Sequence, residues 1–204
     1  MIHLRVKDLG FLDYEDVWQS MVAAVSNREQ NEPDEVWFVQ HPAVYTLGFS
    51  GSENNILNYN NIPLVRTDRG GDITYHGPGQ LVVYFLINIK RLGWGPKKLI
   101  LYLEEIFICL LDHYGIDAQR KEGTPGIYVD KKKIVSIGLK IKRGFSYHGV
   151  SLNVDMSLTP FNHINTCGDK SLKVTQIDDF TRVSMQQVKR DLKNILVDKN
   201  FKVA

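Results

Sequence analysis

Residues 69–80 of the chain read Arg69-Gly70-Gly71-Asp72-Ile73-Thr74-Tyr75-His76-Gly77-Pro78-Gly79-Gln80. Four glycines and one proline in twelve residues are too many for a helix or an ordinary strand, and glycine lets a ligand approach the main chain closely. The next residues, 81–89, are almost all apolar, which is typical of a strand buried on both faces. Two interpretations fit this pattern: a glycine-lined pocket floor that carries Arg69 and His76, or two tight turns around a short strand.

The composition indicates an ordinary globular protein, with 43% hydrophobic and 24% charged residues in 204. A chain of this length is expected to form one domain, residues 1–204. The net charge of +2 is too small to indicate nucleic acid binding. No apolar run approaches the ~20 residues of a membrane span, and the N-terminus lacks the apolar region of a signal peptide. We therefore expect a cytoplasmic protein with no membrane partner.

Apolar periodicity predicts three helices: one capped by Asp13, one opened by Pro96 and one that begins at Ser184 with capping-box spacing. Several strands are predicted between them, at residues 1–7, 35–40, 43–47, 73–75, 81–89, 126–129, 133–141 and 145–155. Because strands and helices do not alternate regularly, an α+β fold is favoured over a doubly wound parallel sheet.

Strand alternation places Lys133 in a row of side chains that is otherwise apolar, whereas Lys140 and Lys142 fall in the opposite, outward row. A lysine beside an apolar row loses solvation, which disfavours its charged form and makes it a candidate proton acceptor. The alternative is a lysine at a strand end that buries only its stem. The row that contains Lys133 also comprises Val135, Ile137, Leu139 and Ile141.

His76 and His148 lie in different sequence settings, which predict different roles. His148 falls in a mostly apolar row with Val150 and Leu152, which favours a satisfied core residue or a pocket-lining residue over a catalyst. His76 is followed by glycine in the predicted floor, and we expect it to face a ligand. The six histidines are scattered without paired-ligand spacing, so neither a metal site nor a cofactor is predicted.

The chain has two cysteines, in different settings. Cys109 lies within the second helix and is predicted to be a buried structural thiol. Cys167 lies in the turn-rich loop of residues 165–169, directly before Gly168. A cysteine in such a loop suits an accessible nucleophile, with backbone N–H groups free to stabilise an oxyanion.

Together, these segments resemble the signature of the lipoyl(octanoyl) transferase family of lipoate biosynthesis. Residues 69–80 carry most of the resemblance, which runs from about residue 36 to residue 177. The supporting matches are His41-Pro42, Gly126-Ile127, Lys133-Ile134 leading to Ile137-Gly138, His148-Gly149, Leu152-Asn153 and Thr166-Cys167-Gly168.

This resemblance implies a fold shared with biotin and lipoate protein ligases, in which helices pack on one mixed sheet. It implies an acyltransferase in which Cys167 takes the octanoyl group as a thioester and Lys133 activates that cysteine. The match also selects Lys133 over its two lysine neighbours. The implied substrate-binding residues are Arg69, Gly70, Gly71, Asp72, Ile73, Thr74, Tyr75, His76, Ser136, Ile137, Gly138, Gly149, Val150 and Ser151.

The implied partners are octanoyl-acyl carrier protein as donor and, as acceptors, the lipoyl domains of 2-oxoacid dehydrogenase E2 subunits and the glycine cleavage H protein. The resemblance also implies that these partners are acidic. The basic cluster of Lys140, Lys142 and Arg143 therefore has two interpretations: a docking surface, or a solvated strand face.

Two alternative functions remain on the same scaffold. One is an ATP-dependent lipoate or biotin protein ligase, and the other is a non-catalytic module that binds an acyl group or a partner. The ligases typically carry a third consecutive glycine where this chain has Asp72, and they lack the run His76-Gly77-Pro78-Gly79-Gln80. The presence of both Lys133 and Cys167 argues against the non-catalytic module.

Overall fold

The computed structural model describes residues 2–166, 171–199 and 201–203, with side chains described for residues 4–166 and 171–199. The helices are α1 (Tyr14–Asn27), α2 (Pro96–His113) and α3 (Met185–Asp198), and short 3₁₀ helices span Glu53–Asn55, Thr159–His163 and Ile177–Asp179. The strands are β1 (Ile2–Phe11), β2 (Asp34–Gln40), β3 (Val44–Leu47), β4 (Leu64–Arg66), β5 (Ile73–His76), β6 (Gln80–Leu86), β7 (Gln119–Lys121), β8 (Thr124–Val129), β9 (Lys132–Lys142), β10 (Phe145–Asn153) and β11 (Phe201–Val203).

Most strands join one mixed sheet, in the order β11-β1-β2-β6-β10-β9-β8-β7. β1 runs parallel to both β11 and β2, and the remaining neighbours are antiparallel. A small second sheet has the order β4-β3-β5. The predicted α+β fold with a mixed sheet is confirmed.

The three helices begin where the sequence predicts. The side chain of Asp13 accepts a hydrogen bond from the Glu15 N–H, and that of Ser184 accepts one from Gln187 N–H, which satisfies donors that a helix start leaves free. Pro96 occupies the first turn of α2. Within the described part of the chain, no helix combines the length and the apolar character that a bilayer span requires.

β6 is buried on both faces, as its sequence predicts. Val83 and Phe85 pack into the core under α2 and α3, while Val82 and Tyr84 pack into a separate core under α1. A third cluster lies against the small sheet. Because β6 occupies the middle of the large sheet, it anchors the glycine-rich segment that precedes it.

A β-bulge in β9 corrects the predicted placement of Lys133. Tyr128 pairs with Lys133 and Ile127 pairs with Val135, so Ile134 is an extra residue without a cross-strand partner. Directly paired residues lie on the same face, and the bulge therefore moves Lys133 to the face opposite Val135. Lys133 is buried, with 3% of its surface exposed, but the predicted row was wrong.

The predicted row of His148 was also wrong. Its backbone has φ of +58°, a left-handed conformation that is uncommon for a residue other than glycine. The ring contacts Trp18, Tyr84 and Tyr147, which belong to the core under α1, whereas Val150 packs into the core on the other side. This local backbone conformation places the imidazole on the α1 side of the sheet.

Candidate active site

A pocket of about 340 Å³ lies beside β9, where the pairing of β9 with β8 ends. The last pair between these strands joins Gly126 to Ser136, and beyond it the edge of β9 is free of β8. The glycine-rich segment takes over this edge, because the Gly70 N–H donates to the Leu139 carbonyl at 3.0 Å. The glycine-rich segment therefore forms the floor of the pocket.

Two glycines allow this close approach. A Cβ atom on Gly138 would lie 3.0 Å from the Gly70 carbonyl oxygen, and one on Gly48 would lie 2.3 Å from the Gly71 carbonyl oxygen. Side chains at these positions would push the floor away from β9 and from the small sheet. Of the two interpretations of residues 69–80, the structure supports the pocket floor.

Arg69 is buried and ties the floor to β3. Its Nε and Nη2 atoms donate to the hydroxyl oxygen of Thr46 at 3.1 and 2.9 Å, and its Nη1 atom donates to the Gly70 carbonyl at 3.1 Å. Arg69 and Thr46 are both more than nine-tenths buried. The guanidinium thus fixes the floor while it contributes positive charge to the pocket lining.

His76 is held as a neutral imidazole of defined tautomer. Burial, aided by repulsion from His41, lowers its pKa to about 3. Its Nδ1–H donates to Gln80 Oε1 at 2.7 Å, because Gln80 directs its Nε2 donor toward Asn153 Oδ1 at 2.9 Å. Nε2 of His76 is therefore an acceptor, 3.4 Å from the Thr46 hydroxyl, and the ring lines the pocket.

His148 forms a pair with Asp68, the residue before Arg69. Its Nε2–H donates to Asp68 Oδ1 at 2.9 Å, and Trp18 and Tyr147 donate to the same carboxylate. These hydrogen bonds, led by that of His148, hold the pKa of Asp68 well below its usual range, while burial lowers the pKa of His148. A neutral His148 then leaves Nδ1 as a buried acceptor, and no described residue bonds it.

Lys133 reaches the pocket from the start of β9. Its Nζ atom lies 5.3 Å from the centroid of the Tyr128 ring, and a Cβ on Gly126 would approach its Cε to 3.0 Å. Thr166 lines the same pocket as Lys133. Cys167 follows Thr166 in the sequence but lies outside the described residues.

The pocket brings together nearly all of the predicted substrate-binding residues. Tyr75 is the exception, because it turns away from the pocket and its ring packs 5.7 Å from that of Tyr45 and 5.5 Å from that of Phe161. Strand alternation places it opposite Thr74 and His76. The predicted residues that line the pocket are Arg69, Gly70, Gly71, Asp72, Ile73, Thr74, His76, Ser136, Ile137, Gly138, Gly149, Val150 and Ser151, together with Lys133.

Several residues of the site are not among those predicted from the sequence. Tyr14 appears in the sequence only as part of the apolar stripe of α1, yet its ring stacks on His76 with centroids 5.5 Å apart. Tyr84 and Ile100 also line the pocket. Nothing in the local sequence separates these residues from core residues. Cys109, predicted to be buried, is only half-buried.

The basic cluster at the far end of β9 contacts other parts of the protein. Lys142 Nζ lies 3.2 Å from the Ser26 hydroxyl and Arg143 donates to the Ser26 carbonyl, at the C-terminal end of α1. The Lys140 amine lies 5.3 Å from the ring centroid of Phe49, which is 81% exposed. Lys142 and Arg143 therefore support the end of a helix, where positive charge is favourable.

Known proteins resemble this chain over most of its length. Residues 13–197 match the family model described as the lipoyl protein ligase A/B catalytic domain. An octanoyltransferase of Shewanella amazonensis is 48% identical over 173 residues, covering 85% of this chain and 80% of the relative. This chain belongs to the octanoyltransferase family. An octanoyltransferase of Vesicomyosocius okutanii is 46% identical over 197 residues, or 96% of this chain and 97% of the relative. The chain is thus an acyltransferase of lipoate biosynthesis, which confirms the family predicted from the sequence.

Solved structures of low sequence identity share the fold. A lipoate-protein ligase A bound with ATP has a TM-score of 0.82 at 16% identity, covering 100% of this chain and 90% of the other. A biotin protein ligase from Aquifex aeolicus has a TM-score of 0.57 at 12% identity, covering 98% and 69%. The predicted relation to the fold of lipoate and biotin ligases is confirmed.

Proposed function

We propose that this octanoyltransferase moves an octanoyl group from octanoyl-acyl carrier protein to a specific lysine of lipoyl domains, through a thioester on Cys167. The observation that carries the proposal is that Lys133 and Thr166, the residue next to Cys167, line one pocket with the glycine-rich floor. Residues 1–204 are proposed to act as a single catalytic domain in the cytoplasm.

In the first step, the Cys167 thiol loses its proton and the thiolate attacks the thioester carbonyl of the donor. Lys133 either accepts the thiol proton or, as an ammonium, stabilises the thiolate. The thiol of the carrier leaves with a proton, and the acyl group remains on Cys167. The burial of Lys133 supports either role, because a nearby charge is poorly screened in such a site.

The acyl chain is proposed to lie against the apolar part of the pocket wall, which includes Ile100, Ile137 and Ile141. Each methylene group removed from water contributes about 0.8 kcal/mol, so burying the chain favours binding and protects the thioester from water. Arg69 and His76, polar residues of the floor, are proposed to lie near the carbonyl end of the substrate.

In the second step, the ε-amine of the acceptor lysine attacks the acyl-enzyme. An amide forms, the Cys167 thiolate leaves, and the proton lost by the amine returns to Lys133 or to the thiolate. Conversion of a thioester to an amide is favourable, so no nucleotide is required. The proposed acceptors are the lipoyl domains of E2 subunits of 2-oxoacid dehydrogenases and the glycine cleavage H protein.

The proposal is tested by incubating the enzyme with octanoyl-acyl carrier protein and an isolated lipoyl domain, without ATP or Mg²⁺. Mass spectrometry of the lipoyl domain should show octanoylation of one lysine, and initial rates at varied concentrations of both substrates should give ping-pong kinetics. Transfer that requires ATP and free octanoate would instead identify a ligase.

A further inference from the structure

At Lys133, one edge of β9 changes its hydrogen-bonding partner. The pairing of β10 with β9 ends at Leu152 and Val135, two residues short of Lys133. There the segment of residues 173–175 takes the place of β10: the Lys133 N–H donates to the Lys173 carbonyl at 2.8 Å, and the Thr175 N–H donates to the Lys133 carbonyl at 3.0 Å. The position of the Lys133 backbone therefore depends on this segment, which follows Cys167 closely in the sequence.

Asn153, the last residue of β10, joins that segment to the pocket floor. Its Nδ2 atom donates to the Thr175 carbonyl at 2.9 Å, and its Oδ1 atom accepts from Gln80 Nε2 at 2.9 Å. Gln80 in turn accepts from His76, which lines the pocket. Asn153, Gln80 and Thr175 are each more than nine-tenths buried, so no water competes easily for these hydrogen bonds.

The two bonds of Asn153 require both a donor and an acceptor on one short side chain, which a carboxamide provides. Thr175 is held on its other side by its hydroxyl, which donates to Asp179 Oδ2 at 2.6 Å. We propose that Asn153 is a positioning residue for Lys133: through Thr175 it fixes the start of β9 relative to the floor on which the acyl group binds. This inference rests on the proposed function, in which Lys133 activates Cys167.

The test begins with the cysteine thiol, in a Cys109→Ala background where Cys167 is the one remaining cysteine. The rate of alkylation by iodoacetamide as a function of pH gives the pKa of the Cys167 thiol without any substrate. If Asn153 positions Lys133, Asn153→Ala should raise this pKa by about one unit, because the thiolate loses part of its stabilisation. Single-turnover acylation by octanoyl-acyl carrier protein should slow about tenfold, with the half-saturating donor concentration unchanged.

Asn88→Ala is the matched control. Asn88 is fully buried and equally well bonded, donating to the Gln30 carbonyl at 3.1 Å and accepting from the Arg91 N–H at 2.9 Å, but it follows the opposite end of β6. All variants are compared below their thermal unfolding transitions. The control should retain the wild-type thiol pKa and acylation rate even if its unfolding temperature falls.

Asn153→Asp provides a second signature. Its ionised carboxylate would face the Thr175 carbonyl and repel it, whereas the protonated acid would donate to that carbonyl and still accept from Gln80. Burial raises the pKa of an introduced carboxyl group. The acylation rate of this variant relative to wild type should therefore recover as the pH falls from about 8 to about 6.

A wild-type thiol pKa and acylation rate in both Asn153 variants would overturn the positioning role. Equal losses in Asn153→Ala and Asn88→Ala would also overturn it, since they would reflect general destabilisation. A wild-type protein that forms no octanoyl adduct would contradict the proposed function instead, and the alkylation measurement would still decide the role of Asn153.

Discussion

The buried histidines predict that the protein loses stability in mild acid. Burial lowers the pKa of His76 to about 3 and that of His41 to about 4, and both side chains are more than nine-tenths buried. The unfolded chain binds these protons near pH 6.5, whereas the folded protein does not. Stability is therefore complete above about pH 7 and falls as the pH decreases from about 6.5 toward the two folded-state pKa values.

The expected size of this loss is large. Each unit of pH below the unfolded pKa costs about 1.36 kcal/mol for each histidine that stays neutral. Between about pH 7.5 and pH 5, two such groups reduce the free energy of unfolding by about 4 kcal/mol. His148, whose pKa is also lowered by burial, acts in the same direction. Since domains are stable by about 5–15 kcal/mol, this loss should shift the urea unfolding midpoint to a clearly lower concentration.

His76→Gln isolates one of these groups. Glutamine can still donate to Gln80 but does not titrate, so the slope of unfolding free energy against pH between about pH 6 and pH 5 should fall by about 1.4 kcal/mol per unit. His113→Gln is the matched control for the substitution itself, because the His113 side chain is 60% exposed. An unchanged slope in His76→Gln, or flat wild-type stability from pH 7.5 to pH 5, would refute the neutral buried imidazole.

Further expectations concern the reaction, the packing and the basic cluster. Lys133→Met should leave a folded protein whose acylation by octanoyl-acyl carrier protein is slowed by about 10²-fold or more, whereas Lys132→Met should retain most of the rate. Equal losses in stopped-flow assays would exclude a specific role of Lys133. Gly149→Ala should lower the free energy of unfolding by about 1–3 kcal/mol, because its Cβ would lie 2.0 Å from the Val83 carbonyl oxygen. An unchanged midpoint of urea unfolding would show that the backbone accommodates the added methyl group without loss of stability. Replacement of Lys140 by Glu should reduce kcat/KM for the carrier-bound donor and flatten its salt dependence. A small octanoyl thioester should be nearly unaffected, and parallel losses with both donors would indicate damage to the fold.

Local signals in the sequence predicted much of the fold. Asp13, Pro96 and Ser184 mark helix starts because capping and the first turn depend on residues next to each other in the chain. The apolar run that follows Gln80 predicted a strand buried on both faces for the same reason. The glycine-rich floor was predicted as one of two possibilities, and its contact with β9 resolved the choice.

Other features of the site depend on tertiary structure. The extra residue Ile134 and the left-handed backbone of His148 each turn side chains to the other face, and neither leaves a periodic signal in the sequence. The stacking of Tyr14 on His76 joins residues far apart in the chain. Such contacts arise only once the cores are packed, so strand alternation alone could not assign the faces of the pocket.

In the proposed reaction, Cys167 carries the acyl group. The most direct measurement is the intact-protein mass after incubation with octanoyl-acyl carrier protein alone, followed by peptide mapping and treatment with hydroxylamine. We expect one hydroxylamine-labile octanoyl group on Cys167, which is absent in Cys167→Ala and retained in Cys109→Ala. An adduct that persists in Cys167→Ala, or octanoyl transfer to the lipoyl domain by that variant, would contradict it.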